Sequence, residues 1–195
     1  MSSSIEFYNN NADNFFDSTF NVDMSELYQE FIPYLDKNSQ VLDAGCGSGR
    51  DSKYFIEHGY EVTAFDASMS LVELASNYLS LDVKCMTFSD IKWEDKYKGI
   101  WACASLLHLE DDELKRTFQK LFKSLKKGGA LYCSFKYGEI NKKVNGRFFN
   151  NMTEQTFKEL LSKSQNISFE NFWVTSDKRP GREDEEWLNI IIKKD

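Results

Sequence analysis

The sequence predicts an α/β fold: a doubly wound, mostly parallel seven-stranded sheet that ends in a C-terminal antiparallel hairpin. Three observations carry this. Short apolar runs alternate with amphipathic stretches between about residues 40 and 136. A glycine-rich turn follows the first of those runs. Two long strand-like runs close the chain, joined by a polar loop too short to hold a crossover, so they must pair antiparallel.

Before the first strand, Asp23 and Glu26 have capping-box spacing, and Leu27, Phe31, Tyr34 and Leu35 share one helical face that Pro33 strains at its end. Strand runs are expected at 40–44 and 61–66, with a helix over about 51–58 between them. Ser68 or Ser70 opens the next helix, which carries Leu71, Leu74, Ala75 and Tyr78. Further strands are expected at 83–88 and 99–104. An amphipathic helix then presents Leu114, Phe118, Leu121, Phe122 and Leu125. It starts in acid at Glu110 to Glu113 and ends in Lys126 and Lys127 before Gly128, as the helix dipole favours. A strand at 130–136, a helix at 153–162 built on Phe157, Leu160 and Leu161, and strands at 167–176 and 186–194 complete the chain.

Composition bounds the function. A chain of 195 residues with 41% hydrophobic content builds one sizeable core, and no linker or repeat suggests a second domain. A formal charge of −7 disfavours nucleic acid as a partner, because such binding rests on neutralised phosphates. The cysteines at 46, 85, 103 and 133 fall singly in apolar runs without a C-x-x-C pair, which reads as reduced core thiols and no metal site. No apolar run reaches the roughly 20 residues of a membrane span, and residues 1–6 lack signal-peptide character, so a cytoplasmic location is expected.

The chemistry concentrates at Val41-Leu42-Asp43-Ala44-Gly45-Cys46-Gly47-Ser48-Gly49-Arg50. Glycines there let the backbone turn sharply and approach a ligand closely. Asp66 ends the next strand about twenty residues after the first glycine, where a carboxylate accepts both hydroxyls of a ribose. A dinucleotide loop would read G-x-G-x-x-G, but position 50 is Arg. Asp43 would repel a pyrophosphate but suits an ammonium group, directly or through water.

This run resembles motif I of the class I S-adenosylmethionine (SAM)-dependent methyltransferases, and Phe65-Asp66-Ala67-Ser68 resembles the acidic loop that family uses for the ribose. The layout of residues 5–195 is similar to the same Rossmann-like family, and its compact size to the tellurite-resistance-type members. The resemblance implies one methyltransferase domain over residues 1–195, with a cap at 1–38 and a substrate-side insertion at 139–151. It implies SAM as cofactor. The turn residues Asp43, Gly45, Cys46, Gly47 and Arg50, with Asp66 and Ala67, would hold it. Phe88 would meet the adenine, Ala104 the sulfonium, and Tyr8 would fold over the methyl-donor end.

His108, just past the fourth strand, is the candidate general base, with packing over the cofactor as its alternative. Lys136, Arg147, Arg179 and Arg182 form a basic group in an acidic chain, suited to an oxyanion or to solvated surface. Trp101, Trp173 and Trp187 read as core. The expected activity is methyl transfer to a small-molecule acceptor. Only Pro33 and Pro180 occur, so the D-P-P-Y, N-P-P-Y and Pro-Cys devices of base methylation are absent. Methylation of a protein or RNA, and a non-catalytic SAM-binding subunit, stay open. Oligomeric state is not legible.

Overall fold

In a computed structural model, residues 2–195 are described. Two short helices, α1 (Ser2–Asn10) and α2 (Ala12–Thr19), precede α3 (Ser25–Phe31). The alternating body is β1 (Gln40–Ala44), α4 (Arg50–Glu57), β2 (Glu61–Asp66), α5 (Met69–Leu79), β3 (Lys84–Cys85), β4 (Tyr97–Ala102), α6 (Asp111–Ser124) and β5 (Leu125–Lys136). A small hairpin, β6 (Lys142–Val144) and β7 (Arg147–Phe149), then leads to α7 (Glu154–Leu160), β8 (Ile167–Ser176) and β9 (Glu186–Lys194).

The main sheet has seven strands in the order β3-β2-β1-β4-β5-β9-β8. The pairs from β3 through β5 are parallel, whereas β9 runs antiparallel to both β5 and β8. The strand order reverses between β1 and β4, which opens a crevice at their carboxyl ends.

Both faces of the sheet are covered. On one, Leu114, Phe118 and Leu121 of α6 and Phe157 of α7 pack on Ile100, Leu131 and Ile190. On the other, Tyr28 and Phe31 of α3 and Phe55 of α4 pack on Trp101 and Tyr132, whose rings stack 3.8 Å apart. Full burial of each such side chain contributes roughly 1.5–3 kcal/mol, so these faces set the position of the strand ends above them.

Several element boundaries differ from the sequence reading. The third strand shrinks to Lys84–Cys85 because it is a sheet edge, and Phe88 enters a 3₁₀ turn with Asp90 capped by Thr87. Leu125, Lys126 and Lys127 belong to β5 and not to the helix, since Leu125 already pairs with Tyr97. Asp23 caps nothing by a capping box; it accepts from the Ser25 amide, and Met24 occupies the N-cap. Cys85 is exposed, unlike the buried Cys46 and Cys133, because its strand lies at the edge.

Candidate active site

The loops after β1, β2 and β4 meet α1, α2 and β7 around a cavity of about 440 Å³. Gly45 sits at φ +81°, and its amide and that of Cys46 both donate to the Phe65 carbonyl at 2.9 Å. A Cβ at Gly45 would lie 2.5 Å from the Ser105 Cβ, so no other residue fits both the turn and the neighbouring strand end. Ser105 holds that approach by donating to the Ala44 carbonyl at 2.6 Å.

Asp66 ties the two loops together. One carboxylate oxygen accepts from the Gly47 amide at 3.0 Å and the other from the Ser68 amide at 2.9 Å. A carboxylate has about four lone-pair sites, so each oxygen keeps one for a ligand hydroxyl. Burial pushes its pKa up, and the amides of Ser68, Gly47 and Ala67 oppose that. Ala67, Cys46 and Arg50 also line the cavity, as do Met86, Thr87 and Phe88 just after the short edge strand.

Asp43 departs from expectation. It is buried in β1 and accepts from Ser52 Oγ at 2.6 Å, and it is not among the cavity walls. Burial and the nearby charge of Asp51 push its pKa up. The charged acid is Asp51, at the start of the helix expected over 51–58 and not among the candidate site residues. It accepts from Arg50 at 2.7 and 2.9 Å, from Tyr28 Oη at 2.5 Å and from Trp101 Nε1 at 2.8 Å. Arg50 is therefore engaged inside the protein. Burial, with Asp43 and Asp66 nearby, pushes the Cys46 thiol well up and removes it as a nucleophile.

Ala104, at the cavity end of β4, adopts φ +51°, an uncommon conformation for a residue with a Cβ. Its amide is held by Ser134 Oγ at 2.9 Å. Strain of this kind at a strand end, in the wall of a cavity, is a mark of functional positions.

Residues 2–19, within the cap expected at 1–38, form a helical roof. Asn9 Oδ1 accepts from Ser68 Oγ at 2.7 Å, and Thr19 Oγ1 donates to Ser48 Oγ at 3.0 Å, so both helices are tied to the loops beneath. Tyr8 reaches down to His108, which lies 100 residues away in sequence, with 2.9 Å between Oη and Nε2. The other ring nitrogen, Nδ1, lies 2.7 Å from the Phe148 carbonyl. A carbonyl only accepts, so Nδ1 carries the hydrogen and Nε2 accepts from the tyrosine hydroxyl.

Burial lowers the His108 pKa to about 4, against the contrary pull of the Phe148 bond. A folded value below the unfolded 6.5 gives stability that is complete above that pH. It is then lost as pH falls through the folded value. Folding free energy should drop by roughly 3 kcal/mol between the two values on this account. Denaturant titrations across that window check it; His108→Asn, which cannot titrate, should flatten this part of the profile, and an unchanged slope would refute the assignment.

The basic residues separate into two groups. Lys136 pairs with Glu185 and lies 3.6 Å from Asp177. Arg179 forks onto Asp177, with Nε at 2.9 Å, and Arg182 forks onto Glu185 at 2.6 and 2.8 Å. These form an ion-pair cluster of three cations on two carboxylates at the cavity rim, braced by the Trp187 Nε1 bond to Asp177 at 3.0 Å. Trp187 thus lines the cavity, correcting its reading as core, while Trp101 is fully buried. Arg147 stands apart: its guanidinium lies 3.9 Å from the Phe7 ring centroid and 5.0 Å from that of Phe149.

The sheet order, the antiparallel close and the glycine loop with an acid at the next strand end are the features to compare with known proteins. Residues 41–129 match the family model described as a methyltransferase domain, Methyltransf_25. Two curated relatives are similar. The malonyl-[acyl-carrier protein] O-methyltransferase of Enterobacter lignolyticus is 29% identical over 48% of this chain and 37% of its own length. An uncharacterized methyltransferase of Staphylococcus carnosus is 26% identical over 78% of this chain and 81% of its own. The chain thus spans well under half of the first relative. Among solved structures, the 1,6-didemethyltoxoflavin N1-methyltransferase of Burkholderia thailandensis, with bound S-adenosylhomocysteine, superposes with a TM-score of 0.77. That match covers 99% of this chain and 86% of the other at 21% identity.

Proposed function

We propose that the chain is a methyltransferase that uses SAM and methylates a small-molecule acceptor by in-line displacement at the methyl carbon. The observation that carries this reading is the meeting of the Gly45–Gly47 loop, Asp66 and the Tyr8–His108 pair in one roofed cavity. Bound there, SAM supplies an electrophilic methyl group on a sulfonium. Asp66 and Ala67 hold the ribose, the Gly45 turn admits the amino-acid portion, Phe88 and Met86 flank the adenine, and Ala104 faces the sulfonium. The roof of α1 and α2 keeps water from the reacting atoms.

Small-molecule transfer fits a covered cavity and an acidic chain, and the toxoflavin-precursor enzyme acts on such an acceptor. In size and layout the chain resembles the compact tellurite-resistance-type methyltransferases. Among the described residues no helix is long and apolar enough to cross a membrane. A protein or RNA acceptor is the weaker reading; for RNA, the formal charge of −7 stands against a polyanionic partner.

His108 acts through Tyr8. When the acceptor's nucleophilic atom loses its proton, that proton goes to Tyr8 Oη as the tyrosine's own proton passes to His108 Nε2. Because burial pushes its pKa down to about 4, His108 stands neutral with Nε2 open as an acceptor and holds the proton only in passing. General-base relays of this type contribute about 10²–10⁴-fold. Tyr8→Phe and His108→Ala should each slow turnover within that range, and the double variant should lose little more than either single one. Additive losses would show that the two side chains do not act as one relay, and full turnover in both variants would reduce them to packing.

Calorimetric titration with SAM, S-adenosylhomocysteine and NAD tests the cofactor. Binding of the first two alone supports the reading, while binding of NAD alone overturns it. A catalytically silent subunit would bind the same ligands yet yield no S-adenosylhomocysteine with any acceptor.

A further inference from the structure

Of the lysines and arginines that line the cavity, one has no carboxylate beside it among the described residues. Arg50, Lys136, Arg179 and Arg182 each meet a carboxylate within 4.0 Å, whereas Arg147 meets none among the described residues. Its Nε is buried and has no hydrogen-bond partner. The rings of Phe7 and Phe149 lie against the guanidinium, and the residue lines the cavity. A cation set in a cavity wall without a counter-ion is suited to an anionic ligand.

The residue is also locked in place. Arg147 and Phe148 are neighbours on β7, and the Phe148 carbonyl accepts from His108, whose other nitrogen accepts from Tyr8. Tyr8 lies in turn within 5.8 Å of the Arg147 guanidinium. The ring of contacts Arg147, Tyr8, His108 and Phe148 therefore fixes the guanidinium beside the hydroxyl that would receive the acceptor's proton. The surrounding wall, from Phe7, Phe15 and Phe149, is aromatic.

We infer that the acceptor is an organic acid with an apolar body, and that its oxyanion is bound by the N–H edge of Arg147. This rests on the methyltransferase reading and narrows it to a substrate class. Planar, forked donors are suited to carboxylates and related oxyanions, and aromatic walls to the remainder of such a molecule.

The test uses protein saturated with S-adenosylhomocysteine and titrated with benzoate and hexanoate, each against its neutral amide. At least one acid should bind about tenfold or more tightly than its amide. Arg147→Gln should remove that preference while S-adenosylhomocysteine affinity stays within about twofold, and Arg147→Lys should retain part of it. The retained cofactor affinity also reports that the variant is folded. The inference fails if neither acid is preferred, if Arg147→Gln keeps the preference, or if the variant loses about tenfold in S-adenosylhomocysteine affinity, which would assign Arg147 to the cofactor instead. Failure of S-adenosylhomocysteine to bind the unaltered protein is a separate result that overturns the methyltransferase reading itself.

Discussion

Asp66→Ala should abolish measurable binding of SAM and S-adenosylhomocysteine. The carboxylate accepts from Gly47 and Ser68 and is the group proposed to take the ribose hydroxyls. Hydrogen bonds to a charged partner are each worth about 1.5–3 kcal/mol, so losing the ligand's pair and the loop's tether together should cost roughly 3–5 kcal/mol of binding. That is a fall of about two to three and a half orders of magnitude in affinity. Calorimetry on the unaltered and variant proteins reads it directly, with the melting transition as a check on folding. Asp66→Asn, which keeps acceptor oxygen but no charge, should fall between. A folded Asp66→Ala protein that binds S-adenosylhomocysteine nearly as well as the original would remove Asp66 from the cofactor site.

The largest stability loss is expected at Asp51→Ala. Asp51 is buried and receives Arg50, Tyr28 Oη and Trp101 Nε1. Burial alone would raise its pKa, and the charge and hydrogen bonds of Arg50, joined by Tyr28 and Trp101, overcome that and lower it. Truncation leaves the Arg50 guanidinium without its counter-ion and two neutral donors without an acceptor. Breaking one side of a buried pair costs about 3–5 kcal/mol. For a domain of this size that lowers the melting temperature by roughly 10 °C. Removing both charges, as in Arg50→Met with Asp51→Leu, should restore part of the loss, because no charge then stays uncompensated. A single variant that melts within about 2 °C of the original would show that the pair does not hold α4 to the sheet.

Both residues stand near the same glycine loop, yet only one was legible as chemistry. Asp66 ends an apolar run at a fixed interval from Gly45, and such spacing is local information. Asp51 follows Arg50 in a helix's first turn, where an acid usually answers the helix dipole and faces water. Its role depends on Tyr28 and Trp101, which lie 23 and 50 residues away. Asp43 shows the reverse: motif position suggested a contact with the cofactor, and burial beside Asp51 leaves it a partner of Ser52. The His108 and Tyr8 readings stood separately in the sequence, as a base or packing group and as a cap residue. Their hydrogen bond spans 100 residues and no periodicity announces it.

What the sequence by itself determined is whatever local pattern encodes: the strands at 40–44, 61–66, 167–176 and 186–194, the antiparallel close, the glycine turn and the acid in register with it. Alternating burial and turn stereochemistry act over a few residues, so they are written in consecutive letters. Only the tertiary structure decided which charges are free to act. Lys136, Arg147 and Arg179 look alike in sequence, but Asp177 and Glu185 neutralise two of them and aromatic rings flank the third. Electrostatic interaction depends on distance through space and on local burial, and the chain sets both only when segments far apart in sequence pack together.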